Sequence, residues 1–154
     1  MTERDEFLAE IVPVLRAAQE ALYAGNVDPW LALWSDTEPQ SWLGQFGTRA
    51  NGRDGVAAHY RRVADRMSGV GHYQLVPITA DVAGGWAYLA AEENLRVRVD
   101  GNAPVAMTAR VSRAFRREAS VWRLAHGHAD LEPSRLNLPW QPPGSNRTEM
   151  KHEH

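Results

Sequence analysis

The stretch Ser112–Asp130 reads SRAFRREASVWRLAHGHAD and is the strongest structural signal in the chain. It contains an alternating strand, a short charged turn and a second alternating strand. The second strand ends in the polar triplet His126, His128 and Asp130 at period two, which places all three on one face. A strand that ends on water-facing polar residues usually ends at a pocket or an interface.

Working back from this hairpin, two further strands are expected. Trp86 to Val99 forms one, and Asp100-Gly101 makes a hairpin turn from it into Val105–Arg117. Tyr73 to Ala80 forms the other, with Pro77 marking an edge or a bulge because proline cannot donate to a ladder. Trp42 to Phe46 adds a short strand. Before the long strands come three helices, an order that signals α+β rather than the alternation of a parallel sheet. Thr2 and Asp5 form a capping pair ahead of the stripe Phe7, Ile11, Leu15, Ala18 and Leu22, and Gly25 ends this first helix. Pro13 should bend that helix or mark its true start. Asp28-Pro29 opens a second helix carrying Trp30, Leu33 and Trp34. Gly52 to Gly55 introduces a third, with the stripe Val56, Tyr60, Val63 and Met67, closed by Ser68 and Gly69.

The 154 residues, 44% of them apolar, are enough for one domain with its own core. A net charge of −2 argues against a nucleic-acid partner, which needs a clustered excess of Lys and Arg. There is no cysteine, so no disulfide framework or thiolate site can form. With no signal-peptide pattern at MTERDEF and no apolar run of membrane-spanning length, the expected location is cytoplasmic, without a membrane partner. The domain is expected over residues 1–131. Residues 132–154 read as a Pro-rich polar tail that wraps the domain or stays mobile.

The order of elements, the stretch AGNVDPWLALWSD, the Gly52 entry to the third helix and the final hairpin together resemble the nuclear transport factor two-like superfamily, including SnoaL-like proteins and ketosteroid isomerases. Ser112, Arg113, Ala114 and Phe115, followed by Trp122, His126 and His128, are similar to the association domain of calcium/calmodulin-dependent protein kinase. The resemblance covers about residues 5 to 131. It implies a curved antiparallel sheet forming a cone over three N-terminal helices, the cystatin-like roll, in which the position of Arg113 faces a pocket. Two companion arginines of that association-domain pocket correspond here to Ala90 and Ala129. Members of the superfamily include enzymes, binding modules and oligomerisation domains, so fold alone assigns no reaction.

Strand parity nominates the site. Trp86, Tyr88, Ala90 and Glu92 share one face of their strand. A turn centred on Gly101 and Asn102 sets Ala90 opposite Arg113, with Glu92 as its diagonal neighbour. Glu92 and Arg113 could then orient a small apolar or weakly polar ligand between walls of Trp30, Trp34, Tyr60 and Tyr88, with His126 nearby. The plainer reading is a structural ion pair. His128, oriented by Asp130, could act as a general acid or base, and Glu92 is a second candidate base.

His126, His128 and Asp130 could also chelate a metal, but the sequence does not place the other candidate donors, Glu92 and His59, beside them, so no metal or cofactor is expected. The plainer reading, which the sequence favours, is that the histidines share their face with Trp122 and Leu124 in a subunit contact. A register that points Arg113 inward pairs it with Ala125 and Gly127 rather than His126, and a one-residue bulge would reverse this. Arg61, Arg62 and Arg66 read as a solvated helix face. The acid/base carboxylate and Tyr/Asp oxyanion hole of ketosteroid isomerases have no counterpart. The expected function is therefore a homodimeric small-ligand-binding domain, with an acid/base enzyme acting in an apolar pocket as the alternative.

Overall fold

The computed structural model describes residues 1–132, without the side chains of Val70 and Gly71. The chain runs α1 (Glu3–Tyr23), α2 (Asp28–Leu33), β1 (Ser41–Leu43), β2 (Arg49–Asn51), α3 (Gly52–Arg66), β3 (Met67–Ala83), β4 (Trp86–Val99), β5 (Val105–Glu118) and β6 (Val121–Leu131). The strands form one strongly curled sheet in the order β2-β1-β6-β5-β4-β3. All neighbours are antiparallel except β1 and β6. This is the α+β architecture expected from the sequence, and the expected tail falls outside the described residues except for Glu132.

α1 begins where Thr2 and Asp5 close a reciprocal capping box, satisfying backbone donors that a helix start leaves free. The stripe Phe7, Ile11, Leu15, Ala18 and Leu22 is buried as its spacing requires. Phe7 meets Phe115 and Trp122 edge-on, with ring centroids 5.2 and 5.4 Å away. Pro13 does not mark the helix start. It sits on the exposed side of a helix that begins at Glu3, and Ala9, whose carbonyl it cannot engage, is also exposed. Gly25 takes φ +94° after the helix, and a Cβ there would lie 2.9 Å from the Met67 carbonyl oxygen. α3 ends at Arg66, so Met67 belongs to β3 rather than to the helix stripe.

Two irregularities control which side chains face inward. β3 is the edge strand, and its pairing with β4 shifts between Pro77 and Thr79, so Pro77 occupies both settings that proline tolerates in a sheet. In the β5–β6 hairpin, Phe115 pairs with Leu124 but Ala114 pairs with His126, leaving Ala125 as an extra residue. This bulge flips the parity of β6. Trp122 and Leu124 are buried on the inner side, and beyond the bulge Gly127 and Ala129 take over the inner positions. The expectation that Trp122 and Leu124 share a face with the histidines is thus corrected.

Candidate functional site: the cavity between sheet and helices

The inner face of the curled sheet and the helices enclose a cavity of about 480 Å3. β4 presents Leu89, Ala91, Glu93, Leu95 and Val97 inward, and β5 presents Ala109, Val111, Arg113 and Phe115. At the inner end of the cavity Arg113 and Glu93 form an ion pair, Nη2 to Oε1 at 2.9 Å, with both residues 3% exposed. Glu93 also accepts from Gln19 Nε2 at 3.1 Å and from the Tyr73 hydroxyl. Its carboxylate therefore has three donors.

Arg113 is less completely served. Its guanidinium carbon lies 5.3 Å from the centroid of the Trp30 ring, but Nε and Nη1 are buried without a hydrogen-bond partner. Burial works against the Arg113 charge, yet Glu93, with Tyr73, Tyr60 and Tyr23 nearby, outweighs it and holds the guanidinium protonated. Burial also pushes the Tyr23, Tyr60 and Tyr73 hydroxyls well above their ordinary range, with Glu93 adding to the effect, so all three stay neutral. The Tyr60 hydroxyl lies close to Trp30 but makes no hydrogen bond of normal geometry.

Toward the mouth the lining is largely apolar, from Leu22, Trp42, Val63, Met67, Leu95 and Val99. Phe46, 66% exposed, stands on the loop between β1 and β2 at the opening. His59, Arg62, Val63 and Arg66 also line the cavity, forming a second stripe on α3 at i, i+3, i+4 and i+7. Two of the three arginines read as a solvated face are therefore exposed rim residues of the cavity. Arg66 is engaged by Asp100 through bonds of 3.1 and 2.8 Å.

The structure places the sequence-nominated residues on both sides of the sheet. Arg113 and Tyr60 face the cavity as expected. Trp30 and Trp34 instead pack behind Tyr60, at 5.4 and 5.9 Å between ring centroids, while Trp42 takes the wall position. Glu92 and Tyr88 lie on the exposed outer face, so Glu92 is not the partner of Arg113. The turn accounts for this. β4 and β5 pair Val97 with Val105, which centres the hairpin on Gly101 rather than between Gly101 and Asn102, and this sets Leu89 instead of Ala90 opposite Arg113. A one-residue change of register exchanges the faces of Glu92 and Glu93.

His126, His128 and Asp130 are also outward, in agreement with the pairing of Arg113 with Gly127. His126 Nδ1 is 2.7 Å from Ser41 Oγ, and Asp130 accepts from Arg110 Nε at 2.8 Å rather than orienting His128. His128 and Asp130 border a shallow outer groove of about 270 Å3 with Ile78, Ala90, Arg110 and Ser112. Among the described residues no group of three or more His, Asp or Glu side chains is arranged to hold a metal ion. No helix among them is long and apolar enough to cross a membrane.

Sequence reasoning does not nominate Glu93, Gln19 or Tyr73, and it names His59 only as a candidate metal donor rather than as part of the cavity. Glu93 had a usable signal: it is the sole acid in the alternating row Ala87, Leu89, Ala91, Glu93, Leu95, Val97. A charge in an otherwise apolar row faces the core, where it needs a partner.

No curated protein sequence matches this chain. Solved structures share its fold. An NTF2-like family protein from Streptomyces avermitilis with a provisional dehydratase assignment superposes with a TM-score of 0.70 at 20% identity, over 82% of this chain and 96% of that one. A protein from Thiobacillus denitrificans, provisionally assigned as a calcium/calmodulin-dependent protein kinase type II association domain, gives 0.63 at 24% identity, over 77% and 91%. A ketosteroid isomerase-like protein from Erwinia carotovora atroseptica gives 0.65 at 16%, over 80% and 95%. The family model of the SnoaL-like domain matches residues 11–130. With the helices, the curled sheet and the enclosed cavity in place, the chain belongs to the SnoaL-like domain family within the NTF2-like superfamily.

Proposed function

We propose that this chain binds an uncharged, largely apolar small molecule in the cavity and works as a self-associating domain. The observation that carries the reading is Arg113: a buried guanidinium beside an open cavity, with Nε and Nη1 lacking acceptors. An unmet buried donor costs about 1–3 kcal/mol, a deficit that a ligand oxygen or an ordered water would remove. The Glu93 carboxylate offsets the Arg113 charge, so the inner end suits a carbonyl or hydroxyl better than an anion. Glu92, His128 and Asp130, on the opposite face of the sheet, do not contribute to this cavity.

Self-association is supported by the outer sheet face, where Ile78, Trp86 and Tyr88 are 64%, 50% and 46% exposed. A second copy of the chain is the occupant we assign to it. The cysteine-free composition suits the cytoplasm.

Trp42 gives the binding test an intrinsic reporter, since it lines the cavity. Titration with 1-tetralone, a neutral bicyclic ketone, should give saturable quenching, and 2-naphthoate should bind at least tenfold more weakly. Arg113→Met should abolish the preference. Equal binding of the two probes would refute the neutral-ligand reading, and saturation by neither would refute the cavity as an apolar binding site.

A further inference from the structure

We propose that His59 is the proton-transfer group of this cavity, acting on an uncharged, largely apolar substrate that carries both an acidic C–H and an oxygen acceptor. The inference rests on the cavity being a ligand site, as argued above, and adds a reaction to it.

The lining offers few groups able to accept a proton. Glu93 already takes hydrogen bonds from Arg113, Gln19 and Tyr73. Tyr23 and Tyr60 are held protonated, and Arg62, Arg66 and Arg113 are cations. His59 remains, and among the described residues it makes no hydrogen bond. Its ring stands edge-on to Tyr60, centroids 4.9 Å apart, so packing rather than a polar partner orients it.

The surroundings favour the neutral imidazole. Burial first, and then the Arg62 charge, hold His59 below its ordinary value of 6.5. From the facing loop between β1 and β2 the cavity receives Gln45, Phe46 and Thr48, all uncharged. α1 contributes the neutral Tyr23, and the sheet contributes the Glu93–Arg113 pair. On its own helix, Arg66 is engaged by Asp100. A neutral imidazole has one nitrogen with a free lone pair, and near neutral pH that nitrogen is a competent base. Tyr60 links His59 and Arg113: its ring touches His59, and its hydroxyl feels the Arg113 charge. A substrate in the cavity that reaches both residues would meet a base at His59 and a hydrogen-bond donor at Arg113.

The probe is 5-nitrobenzisoxazole, which is neutral and needs no cofactor. His59 takes the C3 proton, the C–H electron pair completes a C≡N bond, the N–O bond breaks and the oxygen leaves as a phenolate. The imidazolium then returns its proton to water. Binding is followed by Trp42 quenching and turnover by the coloured phenolate.

The expected result is saturable turnover on the order of a hundredfold faster than the same concentration of free imidazole. It should rise with pH through an inflection below 6.5, and His59→Gln should still bind the probe but lose that turnover. A wild-type protein that binds the probe without such acceleration, or a His59→Gln variant that turns it over equally well, would overturn the role of His59 and leave the cavity reading intact. If 1-tetralone binds and this probe does not, the substrate class is wrong and the proposal falls. If neither binds, the cavity reading falls with it.

Discussion

Glu93 and Arg113 form their ion pair across two rungs of the β4–β5 ladder. Glu93 is opposite Ala109 and Arg113 is opposite Leu89, with Ala91 and Val111 between them. Four residues of strand span about 13 Å, so both side chains must extend toward each other along the concave face. Small Ala91 leaves room for this, and curvature brings the tips together. The pair is thus a product of sheet shape as well as pairing.

Removing one member should be costly. Glu93→Leu or Arg113→Met alone leaves a buried charge without its counter-ion, and each should lower unfolding stability by about 3–5 kcal/mol. The double variant should recover most of that loss. Urea denaturation measures all three, and single losses below about 1 kcal/mol would show that water already serves these groups.

Gly127 tests the inward parity of the end of β6. A Cβ there would lie 2.6 Å from Trp42 Cζ3 and 2.7 Å from Cε3. Gly127→Ala should destabilise the protein by about 1–3 kcal/mol through overpacking and shift the Trp42 emission. An unchanged melting curve and spectrum would mean that Gly127 faces outward.

For the outer face, the wild-type chain at micromolar concentration should sediment at twice its 17.2 kDa. Ile78→Lys with Tyr88→Lys should convert it to monomer without altering its far-ultraviolet circular dichroism. A monomeric wild type would reject self-association, and a dimeric double variant would place the contact elsewhere.

Acid should weaken the fold in two stages. His59 has a folded-state pKa below 6.5, so the unfolded chain binds more protons in that range, and stability is lost as pH falls from about 6.5 toward the folded value. His59→Gln should remove this stage. At lower pH, Glu118 and Asp100 are held below their ordinary 4.5 and 3.8. The Ser35 hydrogen bond is the chief cause for Glu118 and the Arg66 hydrogen bond for Asp100. Their contribution is present above those values and lost as pH falls through the folded ones. Urea midpoints measured from pH 7.5 to 3.5 on wild type and His59→Gln would show whether the upper stage belongs to His59.

Much of the fold was legible because local chemistry and periodicity carry it. The Thr2/Asp5 box, the α1 stripe, the Asp100-Gly101 turn and the β4 limits Trp86–Val99 all stand as read from the sequence. The candidate site was less legible. Arg113 faces the cavity as the family resemblance implies, but its partner is Glu93 rather than Glu92, because the turn is one step off the centre read from the sequence. That His59 lines the cavity depends on the loop between β1 and β2 and the sheet that complete its walls, which no spacing within α3 encodes.

The sequence by itself determined the order of helices and strands and the apolar face of α1, because these follow from periodicity and turn chemistry within short windows. Only the tertiary structure decided that Glu93, Gln19 and Tyr73 converge on one point, that the Ala125 bulge separates Trp122 from the histidines, and that a cavity remains above Arg113. Those outcomes depend on register and sheet curvature. Both are set by interactions between segments far apart in the chain, where a shift of one residue exchanges inside for outside.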